Sequence, residues 1–255
     1  MKLATWNLQR PNPNNLARCT AIGDWVSRIN ADVWVLTETN DAISPGPQFK
    51  FVSTTATDRP GRAGERWTTV WSRWHIERLF ETADPARSVA ALVQPPVGAP
   101  LVVYGTVLPW VGSRWGGQPA QGGLAFAAAL ETQRGDWMRI RQQFPNADLC
   151  VLGDLNQDLA IPHFYGSAAG RRALRDALSS VGLTALTADE SDPVRALDPI
   201  QASIDHICVA AECARFNNSL LEAWPPRTEL LKGLSDHFGS AATFTPTEIA
   251  SSRQS

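Results

Sequence analysis

The first apolar run, Lys2 to Leu8, reads as a strand ending in the polar residue Asn7. From Asn14 to Asn30 the pattern changes: Leu16, Cys19, Ile22, Val26 and Ile29 recur every three or four positions, the stripe of an amphipathic helix. Asp32 to Thr37 then forms a compact apolar run that delivers Glu38 at its end. Strand, helix, strand predicts a right-handed crossover with the two strand ends side by side.

Five short β-prone runs follow, Phe51 to Ala56, Trp67 to Ser72, Ile76 to Phe80, Val89 to Gln94 and Leu101 to Leu108, separated by polar loops. With no helix between them, they read as an antiparallel meander. A glycine-rich loop, Gly112 to Gly123, precedes a helix over Leu124 to Phe144, and Leu149 to Leu152 is a strand presenting Asp154. A helix over Ala168 to Val181 leads through a polar loop to strands at Ile204 to Ala210, near Phe216 to Leu221, and near Ser240 to Phe244. The last residues, 245–255, are rich in Ser and Thr and are expected to fray.

Composition narrows the picture. With 44% hydrophobic and 19% charged residues in 255, the chain can fill a large core and does not resemble a disordered one. Its net charge of −2 argues against a protein that grips duplex DNA mainly through phosphates. Arg59, Arg62 and Arg66, like Arg171, Arg172 and Arg175, read as solvated surface. The ten tryptophans read as packing, with Trp6, Trp110 and Trp115 close enough to the polar motifs to line a cleft. Cys19, Cys150, Cys208 and Cys213 lack zinc-like spacing and read as free thiols. Absence of a leader or membrane-length apolar segment predicts a cytoplasmic protein.

The chemistry lies in short polar signatures at strand ends: Thr5-Trp6-Asn7, Leu36-Thr37-Glu38-Thr39, Gly153-Asp154-Leu155-Asn156, Ser203-Ile204-Asp205-His206 and Ser235-Asp236-His237. Any one of them reads equally well as a turn or helix cap. Glu38 at a strand end, with no His or Cys pair nearby, suits a hard cation such as Mg²⁺. Asp154 and Asn156, two residues apart on an extended stretch, are expected to face the same side.

Together and in this order, from Lys2 to about Phe244, the signatures resemble the endonuclease/exonuclease/phosphatase superfamily. These are metal-dependent phosphoesterases that include deoxyribonuclease I-like and abasic-site endonucleases, inositol polyphosphate 5-phosphatases and neutral sphingomyelinases. The resemblance implies the α/β class and a four-layer sandwich, with two mixed β-sheets face to face, helices outside and the active site at one end. It implies a single domain over 1–244. It also implies Mg²⁺, with Mn²⁺ as substitute, held by Glu38 with Asn7 and Asp236 nearby. Asp154 would activate or position water, Asn156 would contact phosphate, and Asp205 would hold His237 as base or cationic stabiliser. His75, His163 and His206 are assigned structural roles.

The expected activity is hydrolysis of a phosphodiester, with nucleic acid among the candidate substrates. The alternatives are a phosphatase of a small soluble compound or a catalytically weak binding member. One departure stands out: Gly105-Thr106-Val107-Leu108-Pro109-Trp110 occupies the place where the family commonly carries a phosphate-binding His, Tyr or Asn. Either Tyr104, Thr106, His163 or an arginine of the glycine-rich loop takes over, or the protein is slower or accepts esters with better leaving groups.

Overall fold

A computed structural model describes residues 1–55, 61–119, 121–230 and 232–244. Ala56, Arg59 and the tail over 245–255, on which expectations were placed above, lie outside them.

Among the described residues, twelve strands and three main helices are arranged as two six-stranded sheets with helices outside. The first sheet has the order β11-β12-β1-β2-β4-β3, built from β1 (Lys2–Asn7), β2 (Val33–Asn40), β3 (Lys50–Ser53), β4 (Glu65–Ser72), β11 (Ser219–Trp224) and β12 (Gly239–Phe244). The second has the order β5-β6-β7-β8-β10-β9, built from β5 (His75–Phe80), β6 (Ser88–Gln94), β7 (Leu101–Val107), β8 (Asp148–Asp154), β9 (Leu183–Ala185) and β10 (Asp205–Ala210). Helix α1 (Leu16–Ile29) makes the crossover from β1 to its parallel neighbour β2, and α2 (Leu124–Gln143) that from β7 to β8. Helix α3 (Ala168–Ser180) packs beside α2.

Period-two alternation sorts the side chains. Leu3, Val33 and Val35 enter a core shared with Val103 and Val151 of the second sheet, while Ala4, Trp6, Trp34 and Leu36 pack towards Ile22 and Val26 of α1. Beneath α1 the rings of Trp6 and Trp34 both meet Trp224 edge-on, with centroids 6.0 and 5.7 Å away. Each such pair contributes about 0.5–1.5 kcal/mol beyond burial. Trp6 is therefore core, Trp115 is pinned to Asp84 through its indole N–H at 3.0 Å, and Trp110 remains exposed.

Several expectations are corrected. The five β-prone runs are not one meander: β3 and β4 belong to the first sheet and β5 to β7 to the second, the chain changing sheets at Arg73 and Trp74. The strand placed near Phe216 starts at Ser219, because Ala214–Phe216 forms a 3-10 turn that buries Phe216 against Phe244, with centroids 5.0 Å apart. β9 lies in what reads as a polar loop, since three residues are too few to show alternation. Among the described residues, no helix is long and apolar enough to cross a membrane.

Candidate active site

The inward file of β1, Leu3 and Thr5, continues to Asn7 at the end of the strand. The Asn7 amide reaches across the sandwich, donating from Nδ2 to Asp154 Oδ2 at 2.9 Å and to Glu38 Oε1 at 3.3 Å. By parity with Trp34 and Leu36, Glu38 belongs on the α1 side, yet β2 runs on past it to Asn40 and its φ of 43° breaks the pleat there. That left-handed conformation costs an ordinary L-residue roughly 1–2 kcal/mol. Gln9, Arg10 and Asn156 share it, so four of the six non-glycine residues with positive φ among the described residues lie around this end of the sandwich. Backbone strain collects at functional sites.

Asp154 and Asp205 are direct partners in the antiparallel register of β8 and β10, so their carboxylates lie side by side on one face. Gly153 lets β8 arrive there: its φ is 136°, and a Cβ at this position would stand 2.0 Å from the Thr106 carbonyl oxygen. His206, one residue past Asp205, points away and is bound by Thr187 Oγ1 and the Gln157 carbonyl, both at 2.8 Å.

His237 arrives on the loop before β12. Ser235 fixes that loop by donating from Oγ to the Asn7 carbonyl at 2.7 Å while accepting the His237 N–H at 3.2 Å, and the Trp6 indole donates to the His237 carbonyl at 3.0 Å. His237 Nδ1 lies 2.6 Å from Asp205 Oδ2. Among the described residues, Asp154, Asp205 and His237 form the one group of three His, Cys or acidic side chains with ligand-capable atoms within 4.8 Å of one another.

The structure thus gathers Asn7, Glu38, Asp154, Asp205 and His237. Asn156 stands just beyond: its φ of 51° takes it off the extended path, its N–H donates to Asp154 Oδ1 at 3.0 Å, and its side chain donates to the Leu108 carbonyl at 2.8 Å. The shared-face expectation for Asp154 and Asn156 fails for this reason. Asp236 is largely exposed, with Oδ1 3.8 Å from His237 Nε2. Arg10, which the sequence reading passed over, places Nε 2.7 Å from Glu38 Oε2 and its guanidinium over the Trp67 ring. Its signal was a cation three residues after the first signature.

Burial pushes the Asp154 carboxyl up to about 8, and the facing Asp205 and Glu38 carboxylates add to this against the pull of His237. For His237, burial disfavours the charged ring, but Asp205, Asp154 and Asp236 outweigh it and raise the imidazole to about 10. Imidazolium His237 is a hydrogen-bond donor and no metal ligand. Asp205 Oδ1 is buried without a hydrogen-bond partner among the described residues. A cluster with three carboxylates, an orphaned carboxylate oxygen and a carboxyl driven towards neutrality fits a hard divalent cation, on the Glu38, Asn7 and Asp154 side.

Three of the four candidates for the missing donor on β7 are engaged elsewhere. The Tyr104 hydroxyl is bound to Ser88 and Asp136, Thr106 Oγ1 donates to Gln133 Oε1 at 2.7 Å on the α2 side, and His163 Nδ1 sits 2.9 Å from Asp158 Oδ1. Arg114, in the glycine-rich loop, is exposed.

The architecture that carries this geometry has many counterparts among solved structures. An apurinic/apyrimidinic endonuclease, LMAP from Leishmania major, superposes with a TM-score of 0.63 at 13% identity over 96% of this chain and 88% of its own. The chain shares its fold with this endonuclease. The APE2 catalytic domain from Xenopus laevis shares the same fold at a TM-score of 0.63 and 16% identity, over 96% of this chain and 91% of that one. NExo from Neisseria, described as a 3′ phosphatase bound to a product DNA hairpin, shares it at 0.61 and 19%, over 96% and 100%. No family model matches the chain, and no curated protein does.

Proposed function

We propose that this protein is a divalent-metal-dependent phosphoesterase that hydrolyses a phosphodiester. The observation that carries the reading is the meeting, at one end of the sandwich, of Asn7, Glu38, Asp154, Asp205 and His237 from five separate stretches of chain. A fold has no packing reason to place three carboxylates together, since like charges side by side destabilise it. Glu38 would hold Mg²⁺ or Mn²⁺ with Asn7 and Asp154 beside it, and Asp236 is the outer candidate. The ion would neutralise phosphoryl oxygens and the developing charge on the leaving group.

This chain's residues would do the rest. Asp154, with one oxygen held by Asn7 and the other by the Asn156 N–H, orients an attacking water. His237, kept cationic by Asp205, donates to the phosphoryl group as charge accumulates there, so of the two roles open to it the cationic stabiliser is favoured. Nucleic acid is the substrate class we favour, supported by neighbours described as endonucleases and as bound to product DNA. A cytoplasmic location is part of the same reading.

The test is a panel of phosphodiesters, monoesters and single- and double-stranded DNA, assayed with Mg²⁺ and with Mn²⁺. Metal-dependent cleavage of diesters supports the proposal, and inertness of the whole panel overturns it.

A further inference from the structure

The turn that follows β1 is bent so that it reaches Glu38. Gln9 and Arg10 are consecutive non-glycine residues in the left-handed region, both with a φ of 49°. Two such residues in a row are costly for L-amino acids and persist only where the surroundings hold them. Here β2 holds them: the Leu8 N–H donates to the Thr37 carbonyl at 2.9 Å and the Arg10 N–H to the Glu38 carbonyl at 2.7 Å.

The Arg10 side chain then takes the Glu38 side chain. Its Nε lies 2.7 Å from Glu38 Oε2 and 3.8 Å from Glu65 Oε1, at the head of β4, the strand beside β2. The guanidinium rests over the buried Trp67 ring, 4.8 Å from its centroid. The two oxygens of Glu38 therefore meet unlike partners. Oε2 faces this braced cation, while Oε1 accepts the amide of Asn7, which also donates to Asp154. Asn7 is held in that orientation because its Oδ1 accepts the Gln9 N–H at 2.9 Å.

Carboxylate geometry separates the hard cations. Ca²⁺ gathers more oxygens in flexible geometry and readily takes both oxygens of one carboxylate, whereas Mg²⁺ demands octahedral order and keeps several waters. A glutamate with one oxygen tied to an arginine has only the other to offer. We propose that Arg10 is a positioning residue that sets the choice of metal: by holding Glu38 Oε2 it confines Glu38 to ligation through Oε1, and so favours Mg²⁺ over Ca²⁺. The inference rests on the metal-dependent phosphoesterase reading above. Arg10 acts through Glu38 and needs no contact with substrate.

The experiment measures binding of Mg²⁺ and of Ca²⁺ without substrate, each by displacement of Mn²⁺ followed by electron paramagnetic resonance, in wild type and in Arg10→Met. Methionine keeps an unbranched stem over Trp67 and removes the charge. Loss of a cation beside the site strengthens the attraction for both ions alike, since both carry two charges, and so cancels in the ratio of their affinities. Release of Oε2 does not cancel. The Ca²⁺-to-Mg²⁺ affinity ratio should rise by about tenfold in the variant. Should Arg10→Met fail to fold, Arg10→Lys decides: an ammonium on a flexible stem keeps the charge without the rigid fork, and the ratio should still rise by more than about twofold. A ratio within about twofold of wild type, or one that moves towards Mg²⁺, overturns the role of Arg10 and leaves the phosphoesterase reading standing. A wild-type protein that binds no Mn²⁺ and cleaves no diester with Mg²⁺ or Mn²⁺ overturns both.

Discussion

Asp154 and Asp158 are four residues apart, Asp158 lying two residues beyond the signature that holds Asp154; both are buried, and their surroundings are opposite. Asp158 is surrounded by donors: two backbone N–H groups, the His163 ring and, at 3.9 Å, the Arg171 guanidinium. Asp154 has two donors, yet faces Asp205 and Glu38 and is driven up to about 8 by burial and by these charges. The first is a carboxylate whose charge the fold has answered, and it ties a loop. The second is answered only in part, and that shortfall is what a cation and a substrate can fill. Burial and residue type are the same in the two cases, so the difference lies in whether the surrounding donors balance the charge.

The largest effects should come from the unbalanced side. Asp154→Asn and His237→Ala should each lower kcat by on the order of 10²–10⁴. His237→Ala combined with Asp205→Asn should cost little more than the worse single change, because the two side chains act as one unit. Steady-state rates of the four proteins check this, and simple multiplication of the two losses would show that they are independent.

Glu38→Gln keeps the shape and removes the anion. Half-saturation by Mg²⁺ should move upward by at least about tenfold, which corresponds to 1.4 kcal/mol. A change at Asp158 should leave that value alone. Asp158→Ala instead strips two partly buried N–H groups of their acceptor, a loss of about 1–3 kcal/mol in stability read by chemical denaturation. An Asp158 variant with altered metal affinity and normal stability would erase the contrast between the two carboxylates.

Stability should also respond to pH in opposite senses with and without metal. In the metal-free protein Asp154 binds its proton more tightly than in the unfolded chain, where the value is about 3.9. Its contribution to stability is therefore complete below about pH 4 and is lost as pH rises towards about 8. Asp154→Asn should melt higher than wild type near pH 8 and nearly level with it at pH 4. Adding Mg²⁺ to wild type should raise the melting temperature more at pH 8 than at pH 5. The His237 imidazole, raised to about 10, stabilises fully below its unfolded value and loses this only as pH climbs through that range. A metal-induced shift that is flat in pH would contradict the Asp154 assignment.

Much of this site was legible in the sequence because its residues stand at the ends of regular strands. Asn7 closes the inward file of β1, and Asp154 and Asp205 end up opposite each other through plain strand pairing. The crossover from β1 to β2 is likewise written in the period of Leu16 to Ile29. What stayed hidden depends on single backbone angles and on loops. The left-handed turn at Asn156 defeats a period-two argument, and no local pattern tells that β4 and β5 part company between the sheets. The backbone at Phe164 and Tyr165 is tied to the Asp158 carboxylate, a relation visible only in three dimensions.

The central claim is that the unbalanced cluster around Asp154 binds a divalent cation and cleaves phosphodiesters. The most direct measurement is the initial rate of hydrolysis of a single-stranded oligonucleotide and of an aryl phosphodiester as Mg²⁺ is titrated, in wild type and in Asp154→Asn at pH 8. The account predicts a saturable rise with Mg²⁺ in wild type and nearly none in the variant. Equal rates in the two proteins, or hydrolysis that proceeds unchanged in a chelator, would contradict it.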